Sequence, residues 1–305
     1  MGLSDHLNII RGAKAEAKPA GPPAAANLEP LRIAITDAQY AKLAKLVYSL
    51  SGINLGDSKK ELLKARLAKR MRTTGCRDVS EFICRLEEDQ TGQELVGFLD
   101  CITTNKTDFF RESQHFDFLA TEVLRQLDKL CGPSEPLRVW SAACSTGEEP
   151  YTLAMVLQEN RDLWARRGAV ILASDIDTQV LQHGQRGIYQ QERAACIPRN
   201  ILVRYFQKGG NAWAGHVRVK PELRKLVEFR KINLMDQFCF DRPMHVIFCR
   251  NVMIYFDKPT QQRLVQKFHD CLGKGGYLFV GHSESLTGIK HGLSFVRPAV
   301  YRKES

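Results

Sequence analysis

Residues 137–154 read LRVWSAACSTGEEPYTLA, and this stretch decides the fold. A six-residue run of strand character, LRVWSA (137–142), passes through a loop of small side chains into a helical segment opened by Glu148, Glu149 and Pro150. Comparable β-rich runs follow at AVILASD (169–175), MHVIFC (244–249) and YLFVG (277–281), with helical stretches between them. Strands alternating with helices predict parallel pairing through crossover connections, hence a doubly wound α/β sheet. One stretch breaks the rhythm: residues 216–219 alternate polar and apolar, and LVEFRKI (226–232) has strand character. A small antiparallel insertion is expected at about 205–230 with Gly209 and Gly210 as its turn, and 226–232 suits either that insertion or the main sheet.

Upstream of residue 113 the signals are helical. Thr36 with Gln39, Ser58 with Glu61, and Asp78 with Glu81 each place a capping side chain three residues before an acid or amide, and Gly52 and Gly75 supply helix stops. Residues 1–30 carry four prolines among many alanines and few large apolar side chains, so they read as a flexible tail. The expected organisation is this tail, a small all-helical domain with linker over 31–112, and an α/β domain over 113–305. A chain of 305 residues suits about two domains, and 44% hydrophobic with 26% charged residues is an ordinary globular composition. No apolar run reaches the roughly 20 residues of a membrane-spanning helix, and no secretory signal opens the chain, so a cytoplasmic protein without membrane insertion is expected. The nine cysteines include no C-x-x-C pair and no histidine nearby at ligand spacing, so they read as thiols in a reducing compartment, with no metal.

In open α/β sheets ligands sit beyond the carboxyl ends of the strands. The loop after the first strand holds a single glycine, Gly147, and does not match the dinucleotide fingerprint. The acids Glu148 and Glu149 follow it; a negative pair suits a ligand with an amino group or positive centre better than a pyrophosphate. The second strand ends in SDID (174–177), where Asp175 suits a ribose and Asp177 a helix cap. The third ends in FCRNVMIYF (248–256), with Arg250 and Asn251 directly after a buried run and Tyr255 about one turn further. TTNKTDFFR (103–111) joins the two domains and suits a lid over a cleft.

These motifs, with NLMDQF (233–238) and GGYLFVGHSESL (275–286), appear in an order that resembles the bacterial chemotaxis receptor methyltransferases, the CheR family, over roughly residues 35–303. The resemblance implies a doubly wound methyltransferase domain dependent on S-adenosylmethionine, with a small antiparallel insertion, behind a small helical domain. It implies transfer of a methyl group to glutamate carboxylates of methyl-accepting chemoreceptors, with S-adenosylhomocysteine as coproduct. Asn105, Thr107 and Arg111 then hold the cofactor, Glu149 meets its methionine or sulfonium end, Asp175 binds the ribose, Asn233 and Leu234 border the adenine, and Arg250 with Asn251 lines the pocket. Arg111 and Tyr255 stand beside the reacting centre. The insertion is implied to tether a receptor C-terminal peptide by strand addition, with Lys208, Gly209 and Gly210 in the loop of interest.

Residues 59–72 read KKELLKARLAKRMR, with Leu63, Leu67 and Met71 as an inward stripe. A solvated charged face is the plain reading of such a run; the resemblance implies instead that Lys59, Lys60, Lys64, Arg66, Lys69 and Arg70 are a docking face for acidic receptor helices, in keeping with a formal charge of +10. That charge also admits nucleic acid, but the D/N-P-P-Y-type motif of nucleic-acid amino methyltransferases is missing at 250–253. A noncatalytic S-adenosylmethionine-binding regulator is the alternative from another class; it would tolerate loss of Arg111 and Tyr255, which are present.

Overall fold

Helix α1 (Asp37–Ser51) opens with a complete capping box, Thr36 accepting from the Gln39 backbone N–H while the Gln39 side chain accepts from Thr36, and closes at Gly52 with φ 73°. Helix α2 (Lys60–Thr74) closes the same way at Gly75, φ 74°. Glycine is the residue that takes this left-handed conformation without strain, which is why both stops are legible. Asp78 caps α3 (Val79–Glu88) through the Glu81 N–H, and α4 (Gln93–Ile102) completes the set. The expected Ser58 cap does not form. Asp57–Lys59 makes a 3₁₀ turn whose own backbone bonds, such as Lys59 N–H to the Gly56 carbonyl at 2.8 Å, occupy donors that a side chain would otherwise satisfy. In this computed structural model residues 33–132 and 135–304 are described, so the tail expected at 1–30 lies outside the described residues.

The basic face of α2 is divided. Leu63, Leu67 and Met71 are buried. Arg66 donates to the Ile102 and Thr103 carbonyls and to Thr104 Oγ1, closing the end of α4, where carbonyls lack helical partners. Arg70 pairs with Glu94 at 2.9 Å, both side chains mostly buried. These two cations hold the helical unit together. Lys60 pairs with Asp37 and Lys64 with Glu61 toward solvent, the Lys59 ammonium reaches the Asn54 carbonyl, and Lys69 is exposed.

Among the described residues the chain divides after Thr104 into two compact units. The linker 105–112, assigned to the helical side from sequence, belongs to the second unit because its polar groups are bonded there: the Asn105 amide to Asp177, and the Asn105 carbonyl to Ser145.

The second unit begins with helices α5 (Gln114–Phe118) and α6 (Leu124–Leu130), then builds strands β1 (Leu137–Ala142), β2 (Ala169–Asp175), β3 (Ile188–Gln190), β4 (Phe206–Lys208), β5 (His216–Val219), β6 (Val227–Lys231), β7 (Met244–Cys249), β8 (Leu272–Val280), β9 (Leu293–Arg297) and β10 (Val300–Lys303). The main sheet has the order β6-β2-β1-β7-β8-β10-β9, parallel except where β10 joins β8 and β9. Its crossovers include α7 (Glu148–Glu159), α8 (Thr178–Arg186) and α11 (Lys258–Cys271), and two shorter helices, α9 (Arg199–Tyr205) and α10 (Pro221–Arg224), lie on the insertion side. β1 is buried over almost its whole length, and Trp140 donates to Ser174 Oγ at 2.8 Å while packing edge-on against Phe238, Phe240 and Phe268.

The antiparallel insertion is a three-stranded sheet of order β3-β5-β4 running from Ile188 to Val219, so it starts earlier and ends sooner than 205–230. β6 pairs parallel with β2 from Ile171↔Val227 to Asp175↔Lys231 and is the edge of the main sheet. Alternation at 216–219 marks the one-faced insertion correctly, but β6 alternates as well, because an edge strand is also covered incompletely. The switch point falls between β1 and β7: from β1 the chain passes to β2 on one side, and β7 lies on the other. The carboxyl ends of β1, β2, β7 and β8 therefore meet at one crevice.

Candidate functional site

The loop leaving β1 is tight: Ala143 (φ 61°), Ser145 (φ 50°) and Gly147 (φ 97°) are all left-handed. Non-glycine residues hold that conformation only where surroundings enforce it. The enforcement comes from Asp175, whose Oδ2 accepts from the Ser145 N–H at 2.8 Å and whose Oδ1 accepts from the Asp177 N–H at 3.0 Å. Asp177 caps α8 through the Gln179 and Val180 N–H groups and accepts from the Asn105 amide at 2.7 Å. Burial pushes the Asp175 carboxyl up to about 6, against the opposing effect of those backbone donors. The segment after β6 is tied to the same place by the Ile232 N–H on the Asp175 carbonyl, which brings Asn233 and Leu234 beside it. Lys267 donates to the Leu234, Met235 and Asp236 carbonyls and fixes that segment from behind.

A second group centres on Arg250, at the end of β7. Its guanidinium is almost fully buried and donates to Glu149 Oε2 at 2.9 Å, to Glu112 Oε2 at 2.9 Å and to the Arg111 carbonyl at 2.5 Å, while lying 5.4 Å over the Phe116 ring. The other Glu149 oxygen accepts from Ser141 Oγ at 2.7 Å. Burial works to raise the Glu112 carboxyl, but the bond and charge of Arg250 outweigh it and hold Glu112 below the ordinary range. His115, buried beside Glu112, is driven down to about 3 by burial and by Arg250, so it is neutral at pH 7. Glu112, His115 and His282 bring ligand-type atoms within 4.8 Å of one another, but the guanidinium already on Glu112 opposes a metal cation there.

Asn251 (φ 58°) follows Arg250; its amide reaches Glu112 Oε1 at 3.3 Å, and its backbone N–H donates to Glu284. Tyr255 ends the 3₁₀ turn Met253–Tyr255 and is half-buried. The half-buried Arg111 donates to the Lys106 carbonyl at 3.1 Å. For Thr107 the visible contact is its carbonyl, which accepts from Arg193; Arg193 also pairs with Asp108 at 3.0 Å and with the buried Glu148 at 2.7 Å.

The structure thus joins Asn105, Asp175, Asn233 and Leu234 in one cluster and Arg111, Glu149, Arg250 and Asn251 in another, linked through the β1 loop. Sequence reading missed Glu112, Arg193 and Glu284. Glu112 directly follows TTNKTDFFR and Glu284 lies inside GGYLFVGHSESL, but their partners are far along the chain, as is that of Arg193: Arg193 is 45 residues from Glu148, and Glu284 is 33 from Asn251. No local signal identifies such partners.

Residues 38–103 match the all-alpha domain of CheR methyltransferases, and residues 105–301 match the CheR methyltransferase SAM-binding domain. The chain belongs to the CheR methyltransferase family. Among curated relatives, a chemotaxis protein methyltransferase of Borreliella burgdorferi is 41% identical over 277 residues, covering 90% of this chain and 96% of that one. A chemotaxis protein methyltransferase of Escherichia coli is 40% identical over 271 residues, covering 88% and 92%. A chemotaxis protein methyltransferase 2 of Pseudomonas aeruginosa is 41% identical over 267 residues, covering 87% and 93%.

For a CheR protein the cofactor is S-adenosylmethionine, and the donor set fits it. Both oxygens of Asp175 and both of Glu149 accept hydrogen bonds from the protein, which fixes the carboxylates, and a carboxylate has about four lone-pair sites in all. Two ribose hydroxyls and a methionyl ammonium are donors that such acceptors satisfy. Among the described residues of this CheR chain no helix is long and apolar enough to cross a membrane.

Proposed function

We propose that this CheR chain transfers the methyl group of S-adenosylmethionine to glutamate side chains of chemoreceptors, forming methyl esters. The observation that carries the reading is the pairing of two preorganised carboxylates, the buried Asp175 and the mostly buried Glu149, with the buried Arg250 guanidinium at the end of β7. In this reading Asp175 takes the ribose hydroxyls, Glu149 the methionyl end, Asn233 and Leu234 the adenine border, and Asn105 and Thr107 the linker side, with Arg250 and Asn251 lining the pocket. The bound cofactor supplies an electrophilic methyl and a neutral thioether leaving group.

The protein needs no general base. A glutamate with pKa about 4.3 is ionised at pH 7, so the chemistry reduces to alignment. Arg111 orients the incoming carboxylate through its guanidinium, and Tyr255 borders the transferred methyl. A noncatalytic regulator has no use for a guanidinium and a phenol at that position.

The test is transfer of tritiated methyl from S-adenosylmethionine to chemoreceptor-containing membranes. Label on the receptor band that is released as methanol by mild base supports the carboxyl methyltransferase. Tight cofactor binding with no label, or label stable to base, overturns the reading.

Docking belongs to the helical unit. Because Arg66 and Arg70 are consumed internally, the docking surface of α2 is carried by Lys59, Lys60, Lys64 and Lys69. Reversing Lys59, Lys64 and Lys69 to glutamate is expected to raise the KM for receptor about tenfold or more with cofactor affinity and melting temperature unchanged. Arg66→Glu instead lowers the melting temperature. Equal receptor KM in the triple variant removes α2 from the docking face. The tethering reading rests on β4, an edge strand with Gln207 and Lys208 exposed, where a receptor peptide would add a strand. Gly209 is required in the following turn because a Cβ there would overlap the Trp213 carbonyl.

A further inference from the structure

The turn that carries Tyr255 has a conformation its own sequence does not enforce. Asn251 is left-handed, and the turn's own backbone bonds within Asn251–Phe256 are Tyr255 N–H to the Val252 carbonyl and Phe256 N–H to the Met253 carbonyl. Two side chains from elsewhere complete it. On one side Glu284 is buried at 7% exposure, with Oε2 accepting from the Gly281 N–H at 2.6 Å and the Asn251 N–H at 2.9 Å, and Oε1 accepting from the Ile254 N–H at 3.3 Å. On the other, the Gln261 amide donates to the Met253 carbonyl at 2.8 Å and the Phe256 carbonyl at 3.0 Å. A carboxylate gathers the donors of the turn and an amide gathers its acceptors.

The approach is close. A Cβ on Gly281 would stand 2.8 Å from Glu284 Oε2 and 2.9 Å from the Asn251 N, so only glycine lets the end of β8 sit against this turn. Burial also raises the Glu284 carboxyl, opposed by the backbone donors it accepts. An acid kept in a place that disfavours its charge, bonded to backbone N–H groups of the segment next to the transfer site, is suited to holding geometry.

We propose that Glu284 and Gln261 are positioning residues for methyl transfer, clamping the Asn251–Phe256 turn so that Tyr255 meets the acceptor in fixed register. This rests on the glutamate methyltransferase reading above. Glu284→Gln is the discriminating change. The amide keeps shape, but one end offers N–H instead of a lone pair, so either Ile254 or the Gly281–Asn251 pair faces a donor. Displacements on the order of 1 Å near reacting groups cost about 100-fold in rate.

The experiment measures methyl transfer to receptor membranes by wild type, Glu284→Gln and Gln261→Leu, each normalised to sites counted by S-adenosylhomocysteine titration. Wild type must label the receptor; if it does not, the methyltransferase reading fails before the clamp is tested. Given wild-type transfer, kcat per cofactor site is expected to fall about 10- to 100-fold in Glu284→Gln and several-fold in Gln261→Leu, with cofactor Kd and receptor KM within threefold of wild type. A merely structural role lowers the number of sites and leaves kcat per site alone. If Glu284→Gln does not fold, Gln261→Leu decides. Per-site kcat within twofold of wild type in the folded variants, or a loss confined to cofactor Kd, overturns the proposal.

Discussion

Asp175→Asn is expected to bind S-adenosylhomocysteine about 100-fold more weakly than wild type by calorimetry, while melting within a few degrees of it. Hydrogen bonds to a charged acceptor are each worth about 1.5–3 kcal/mol, and the substitution converts one of two charged acceptors into a donor. The fold responds less because the carboxylate is itself a burden to the protein without ligand. Its pKa is raised from 3.8 to about 6, so its contribution to stability is fully present below pH 3.8 and is lost as pH rises through about 6. Binding runs the other way, since hydroxyl donors prefer the ionised acceptor. Wild-type affinity should therefore drop about tenfold for each pH unit below about 6, and the Asn variant should show a flat profile over the same range. A Kd within threefold of wild type, or an unchanged pH slope, would take the ribose away from Asp175.

The largest effect on stability is expected from Arg250→Met. Glu112 and Glu149 are only 15% and 11% exposed at their side chains, and the guanidinium is the cation both of them contact. Removing one member of a buried ionic network costs about 3–5 kcal/mol, because the partners stay buried and charged. At roughly 2–4 °C per kcal/mol for a unit of this size, the melting temperature should fall by about 6–20 °C. Adding Glu149→Gln to Arg250→Met should recover part of that loss by removing an orphaned charge, a coupling that independent sites do not show. Simple additivity would mean that Arg250 acts through packing on Phe116 instead.

The fold was legible because its signals are local. Gly52 and Gly75 stop helices wherever they occur with that spacing, and β1, β2 and β7 are buried on both faces, which writes them as continuous apolar runs. The β6 strand was ambiguous for the same reason: as an edge it alternates like the insertion strand β5. In the candidate site, polar residues at the strand ends, such as Asp175 and Arg250, could be picked out from position alone. Their supports could not. Glu112 and Glu284 look like ordinary surface acids until the sheet brings Asn251 to them, and Arg66 looks like part of an exposed charge run until it meets the end of α4.

The Arg250 hub also sets a timetable. The Arg111 carbonyl and the guanidinium that binds it are 139 residues apart, and Glu149 lies between them in the chain. At synthesis rates of about 5–20 residues per second, a nascent linker waits roughly 7–28 s for the cation that pins it. The helical unit, complete at Thr104, has no such delay. In the cell, the interval before residue 250 leaves the ribosome is when Glu112 and Glu149 are without the cation that both contact.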